Sequence, residues 1–205
     1  MKLYWSETLN PRKVCAVARH LEAPVAFVHV DLAAGGSHAP DFLARNPNGK
    51  VPVLEEADGR TLWESNAIMC RLSEAAGADL WPRDERQIDL LRWLFWDAQH
   101  FGLHASRLYF ENIIRPKLSG AEPNPRTVAD ALGQFRTYAA ILDDHLAGRS
   151  WVMGDQLTLA DFALGVALPY AEAAQIPLGD FPAMARWHDR LNELPAWREP
   201  FPAIH

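Results

Sequence analysis

Segments with strand character occur only in the first third of this 205-residue chain, and their order limits the fold more tightly than any other feature. Over residues 1–76 strands and helices alternate. KLYW is a short apolar strand. A helix is expected over residues 11–22, where Pro11 suits the first turn because its missing N–H has no intrahelical partner to lose. VAFVHVDL is rich in β-branched and aromatic residues and reads as a second strand. A polar, glycine-bearing loop and a short helix over residues 40–45 follow. VPVLEE and RTLWE are then two strands joined at Asp58-Gly59, the dipeptide favoured in tight hairpins. Ser65 opens the apolar helix SNAIMCRLSEAAG. Strand, helix, strand, helix, strand, strand, helix makes this region an α/β domain.

Residues 77–83, around GADLWP, form a linker, and no strand signal returns in residues 84–205. Residues 84–115 form a long aromatic-rich helix expected to end or kink at Pro116, which lacks the donor and clashes with the preceding turn. In the next helix Val128, Leu132, Phe135, Ala139, Leu142 and Leu146 recur at spacings of three and four, one apolar face. Gly148 is placed to close it. GDQLTLADFALG is the sharpest helix start in the chain: Thr158 caps, Asp161 bonds back to it, and Leu157 packs on Phe162. Helical segments over residues 169–174 and 182–194 complete an all-α second domain.

An apolar content of 49% supplies a core without covalent staples. The two cysteines, Cys15 and Cys70, are too few for a disulfide framework or a cysteine-built zinc cluster and suit a reducing compartment, so the chain reads as cytoplasmic. No apolar run approaches a membrane span, and no metal-ligand spacing stands out. A formal net charge of −6 with no basic stripe argues against nucleic acid as a partner.

The chemistry concentrates in NPNGKVPVLE and, a few residues on, ESNAI. Val51-Pro52, entering a strand directly after a glycine turn, is a candidate cis peptide. In that form the Val51 N–H and C=O turn outward and can pair with an extended peptide as an added strand would. Glu64 and Ser65 lie where a strand gives way to a helix, so main-chain donors there can hold a carboxylate. Ser65 adds a hydroxyl and Glu64 a partner for an ammonium; together they can receive one amino-acid end. Singly, these are an ordinary loop proline and an ordinary helix cap, and it is their combination that points to a peptide ligand.

The order KLYW, NPRKV, DFLARNPNGKVPVLE, ESNAI and LTLADF resembles the glutathione transferase family, across the whole N-terminal domain and the capping segment of the C-terminal one. The resemblance implies a thioredoxin-like, glutathione-binding domain over residues 1–76. It also implies a helical domain over residues 84–205 with a hydrophobic co-substrate site, and a homodimer. It assigns Val51, with Pro52, to the cysteinyl backbone of glutathione and Glu64 with Ser65 to its γ-glutamyl end. His38 and Lys50 fall at its glycine carboxylate, two cations that suit an anionic tripeptide approaching an acidic protein.

The same resemblance places Thr8 where theta-like and phi-like members carry serine and beta-like members cysteine. Thr8, Leu9 and Asn10 resemble the Thr-x-Asn arrangement of the nu-like bacterial class, which is associated with disulfide-bond reduction besides transferase and peroxidase activity. Ser6 is the fallback, and Cys15 lies inside the first helix beyond the thiol. A threonine hydroxyl is no base at neutral pH, so its role is donation to the thiolate. Each unit of thiol pKa lowering requires about 1.4 kcal/mol, and charge-assisted hydrogen bonds of about 1.5–3 kcal/mol each supply it, aided by the helix N-terminus. Phe101, His104 and Leu108 are candidates for the co-substrate pocket. The implied activity is attack by the glutathione thiolate on an electrophilic carbon, a peroxide or a mixed disulfide. A nu-like disulfide-bond reductase and a non-catalytic interaction module remain as alternatives.

Overall fold

A computed structural model describes residues 1–204. The chain divides into two compact units, residues 1–82 with the segment from Glu193 onward, and Arg83–Asn192.

In the first unit β1 (Lys2–Trp5), α1 (Leu9–His20), β2 (Ala26–His29), α2 (Pro40–Leu43), β3 (Val53–Glu55), β4 (Thr61–Leu62) and α3 (Ser65–Ala75) follow in the expected order. The sheet is ordered β2-β1-β3-β4. β1 runs parallel to β2, with Leu3 opposite Phe27, and antiparallel to β3, with Leu3 opposite Leu54. β4 is antiparallel to β3 at the edge. Leu3, Val53 and Leu54 are fully buried, so the centre of the sheet is covered on both faces. Tyr4, Val30, Phe42 and Val53 form one cluster, with the Phe42 ring edge-on to Tyr4 at 6.2 Å. Val14, Val17, Ile68 and Leu72 of α1 and α3 are fully buried as well.

α1 begins two residues before the expected start. Thr8, with extended dihedrals of −128° and 167°, takes the N-cap. Pro11 therefore falls third in the helix, where its N–H would still be one of the orphan donors of the first turn. The hairpin also differs from a tight two-residue turn: Glu56 N–H donates to Arg60 C=O at 2.8 Å and Gly59 N–H to Glu56 C=O at 3.1 Å. This three-residue loop is closed by Gly59 at φ 85°, the left-handed position such loops require.

The second unit opens with one long helical path. α4 (Arg86–Trp96) passes through a π turn at Asp97–Phe101 into α5 (Gly102–Tyr109), and a second π turn at Phe110–Ile114 leads to α6 (Arg115–Ser119). The path does not end at Pro116, one of the two expected outcomes. The wide turn just before it already departs from the i→i−4 ladder, so the missing donor and the ring are accommodated. It ends instead at Gly120, φ 65°.

α7 (Pro125–Leu146) starts at Asn124, whose Oδ1 accepts from Arg126 N–H at 3.1 Å and Thr127 N–H at 3.2 Å. It buries Ala131, Phe135, Ala139, Leu142 and Leu146, the expected face, and Gly148 follows it at φ 76°. α8 (Leu159–Leu164) is buried along its whole length and carries the expected capping box of Thr158 and Asp161. Asp161 accepts from Val152 N–H and Trp187 Nε1–H on Oδ1, each at 2.9 Å, and from Thr158 N–H at 2.9 Å and Thr158 Oγ1–H at 3.2 Å on Oδ2. Its complete burial lifts the carboxyl to about 6 against the pull of those four donors. Residues 169–174 are short 3₁₀ and turn structure rather than a helix, and α9 (Pro182–Leu191) completes the unit.

α10 (Pro195–Arg198) groups with the first unit, not with the helical domain to which the sequence assigned everything beyond residue 84. Trp197 is fully buried; the Arg12 guanidinium lies over its ring at 5.1 Å and donates through Nη2 to its carbonyl at 2.6 Å. Phe201 stacks on Trp5 at 5.3 Å. Among the described residues no helix is long and apolar enough to cross a membrane.

Candidate active site

The candidate residues Asn10, Lys50, Val51, Pro52, Glu64 and Ser65 gather where three element ends meet: the start of α1, the loop from α2 into β3, and the junction of β4 with α3. There a cleft of about 180 Å³ is lined by Asn10, Asn46, Asn48, Lys50, Val51, Pro52, Glu64 and Ser65. Val51-Pro52 is cis, as the sequence suggested. Among the described residues nothing hydrogen-bonds to the Val51 main chain.

Glu64 has φ 73° and ψ 112°, a conformation rare outside glycine and costing about 1–3 kcal/mol. Such strain marks a position held by its surroundings. It delivers Ser65 as the first residue of α3, where the main-chain donors of the opening turn lack intrahelical acceptors. Ser65 Oγ donates to Asn10 Oδ1 at 3.4 Å, linking the starts of α1 and α3. Beneath them the buried Lys13 donates from Nζ to Asn66 Oδ1 at 2.7 Å.

Thr8 stands two residues ahead of Asn10. Although it occupies the N-cap position, its side chain makes no capping bond, so the hydroxyl is not consumed by the helix it precedes. Ser6 is buried and its Oγ donates to Glu7 Oε2 at 3.3 Å, which commits it to the loop. Glu7 also meets His29 Nε2 at 3.1 Å. Burial pulls the Glu7 carboxyl up, but the His29 and main-chain hydrogen bonds outweigh it and hold the group below its ordinary value. Cys15 is fully buried and its thiol is pushed up to about 12 by desolvation, as is that of Cys70, so neither supplies a thiolate near neutral pH. His38 is exposed, its Nδ1 3.2 Å from Ser37 Oγ, and is not among the residues that line the cleft.

Of the three co-substrate candidates in the helical unit, Phe101 and Leu108 are fully buried, which corrects the expectation that they face a ligand. Phe101 stacks with Trp96 at 5.9 Å and packs on Phe135 at 5.2 Å as core. His104 is half-buried and stacked on Tyr138 at 5.7 Å. Sequence reasoning passed over Asn46, Asn48 and Glu7. The repeated asparagines of NPNG were a turn signal, but nothing in the letters tells which of them is turned inward.

Two family models match the chain: the glutathione S-transferase N-terminal domain over residues 2–72 and the glutathione S-transferase C-terminal domain over residues 125–190. The protein belongs to the glutathione S-transferase family. It is 32% identical over 213 residues to glutathione S-transferase 3 of Zea mays, covering 100% of this chain and 94% of the relative. It is 28% identical to the disulfide-bond oxidoreductase YfcG of Escherichia coli (strain K12), covering 95% and 91%. The crystal structure of glutathione transferase F7 from Populus trichocarpa superimposes with a TM-score of 0.90 at 25% identity, covering 97% of this chain and 96% of that one.

Proposed function

We propose that this protein binds glutathione in the cleft of the first unit and activates its thiol for attack on an electrophilic carbon, a peroxide or a mixed disulfide. The observation that carries this reading is the convergence of an uncommitted Val51 main chain with the Ser65 helix start and Glu64 in one cleft. The γ-glutamyl carboxylate sits on the Ser65 hydroxyl and the α3 N-terminus, its ammonium on Glu64, and the cysteinyl backbone pairs with Val51. Lys50 draws the glycine carboxylate, with His38 near the same loop. Thr8 then donates to the thiolate with Asn10 as a second donor, and His104 remains the candidate on the co-substrate side.

Glu64→Ala and Ser65→Ala are expected to weaken glutathione binding about tenfold or more, with little change in the unfolding midpoint, because each loses a charged-group hydrogen bond of about 1.5–3 kcal/mol. Titration calorimetry checks this; affinities equal to wild type in both variants refute the assignment. Retention on immobilised glutathione, followed by assays with an aryl halide and with a mixed disulfide, tests the activity itself.

A second reading, glutathione-dependent disulfide reduction, is favoured by the Thr8-Leu9-Asn10 arrangement and by the similarity to YfcG. The two cysteines, their thiols pushed up to about 12, support chemistry carried by glutathione itself, and their small number suits the cytoplasm. A homodimer is supported by the apolar side chains that α4 leaves exposed, Ile88 at 71% and Phe95 at 67%. Sedimentation is expected to give twice the chain mass; a monomer throughout the micromolar range removes the dimer.

A further inference from the structure

We propose that Asn46 is a positioning residue for glutathione, acting through the peptide plane that joins Lys50 to Val51; this rests on the reading of the cleft as the glutathione site. Asn46 is only 3% exposed, yet every polar atom of its carboxamide is used inside one short loop. Nδ2 donates to Lys50 C=O at 2.7 Å, while Oδ1 accepts from Asn48 N–H at 3.0 Å and from Asn48 Nδ2 at 2.9 Å. The Asn46 carbonyl also accepts from Gly49 N–H at 3.0 Å. The orientation of the carboxamide is fixed by its neighbours, because the Asn48 N–H requires an acceptor and the Lys50 carbonyl a donor.

The consequence lies on the other edge of the same peptide. Val51-Pro52 is the cis bond of the described residues, so Lys50-Val51 is trans. In a trans peptide C=O and N–H lie in one plane and point in opposite directions. A Lys50 carbonyl drawn inward by Asn46 therefore aims the Val51 N–H outward, on the side where Val51 lines the cleft. Asn46 thus sets the direction of a donor that it never touches. Gly49 fits this tight loop because a Cβ there would come within 3.3 Å of the Ser37 carbonyl and 3.4 Å of His38 Nε2, at φ 61°. Without the Nδ2 donor the plane is free to rotate about its flanking dihedrals, and the Val51 N–H loses its alignment with a bound peptide. Thr8 and Asn10 stand outside this loop, so the defect falls on binding rather than on thiol activation.

The decisive variant is Asn46→Asp, which keeps the shape and the acceptor for Asn48 but removes the donor to Lys50. The expected result is a KM for glutathione raised about tenfold, equivalent to about 1.4 kcal/mol, with kcat at saturating glutathione within twofold of wild type. Hydrogen exchange gives a second readout: saturating glutathione protects the Val51 amide in the wild type and fails to protect it in Asn46→Asp. Asn46→Ser, with a shorter donor, serves if Asn46→Asp does not fold by circular dichroism, and is expected to fall between the two. Equal KM and equal Val51 protection in wild type and variant overturn the positioning role alone, as does a loss confined to kcat. A wild-type protein with no affinity for glutathione overturns the reading of the cleft and this inference with it.

Discussion

Asp161→Ala is expected to cost about 4 kcal/mol or more of stability, among the largest single effects available in the chain. The substitution strips the acceptor from Val152 N–H, Thr158 N–H and Trp187 Nε1–H together. A buried donor left without a partner costs about 1–3 kcal/mol, and a cavity forms as well. For a protein of this size that corresponds to a fall in unfolding midpoint of roughly 8 °C or more, measured by the loss of helical signal on heating. A shift under about 3 °C would show that the network contributes little. The pH dependence has a definite sign. Burial lifts the Asp161 carboxyl to about 6 in the folded chain, against about 4 when unfolded. The folded state therefore holds that proton more tightly; the contribution is complete below about pH 4 and is lost as pH rises through 6. Asp161→Asn, which does not titrate, should lack that decline.

Thr8→Ala is expected to raise the pKa of bound glutathione by about one unit or more and to lower kcat about tenfold near neutral pH, with affinity changed less than threefold. The hydroxyl favours the thiolate over the thiol, and about 1.4 kcal/mol of preference corresponds to one unit. Thiolate absorbance titrated against pH reads this directly. Cys15→Ser belongs in the same experiment and should leave titration and turnover unchanged, since Cys15 is sealed in the core with its thiol at about 12. A titration unmoved in Thr8→Ala but shifted in Asn10→Ala would transfer the principal role to Asn10. Loss of turnover in Cys15→Ser would replace the whole scheme with exchange through a protein cysteine.

The sheet was legible because VAFVHVDL, VPVLEE and RTLWE differ so plainly in composition from the helical segments around them. The cleft was legible for a related reason: Val51, Pro52, Glu64 and Ser65 sit at element ends, where the residue types are dictated by backbone geometry. Asn46 was not, since its importance depends on which of two asparagines is buried, and that is a property of the closed loop. Periodicity marks a helix face without naming what covers it, which is why Phe101 and Leu108 were placed toward a ligand and are found in the core. Pro116 signalled an end or a kink without telling which, because the π turn that accommodates it has no signature in the letters. The grouping of α10 escaped notice because its contact with Arg12 spans 185 positions of sequence.

That last contact also governs how the molecule comes into being. The chain leaves its first unit at Pro82 and re-enters it at Glu193, so the sequence of the helical unit interrupts that of the other. During synthesis the ribosome delivers Arg12 185 residues before its lid, Trp197. Until then the face of α1 that receives the tryptophan stays open, and the α/β unit is complete only after every residue of the helical one has been made. A chain without Trp197 would thus be damaged in the unit that carries the cleft, at a helix 185 positions earlier in the sequence.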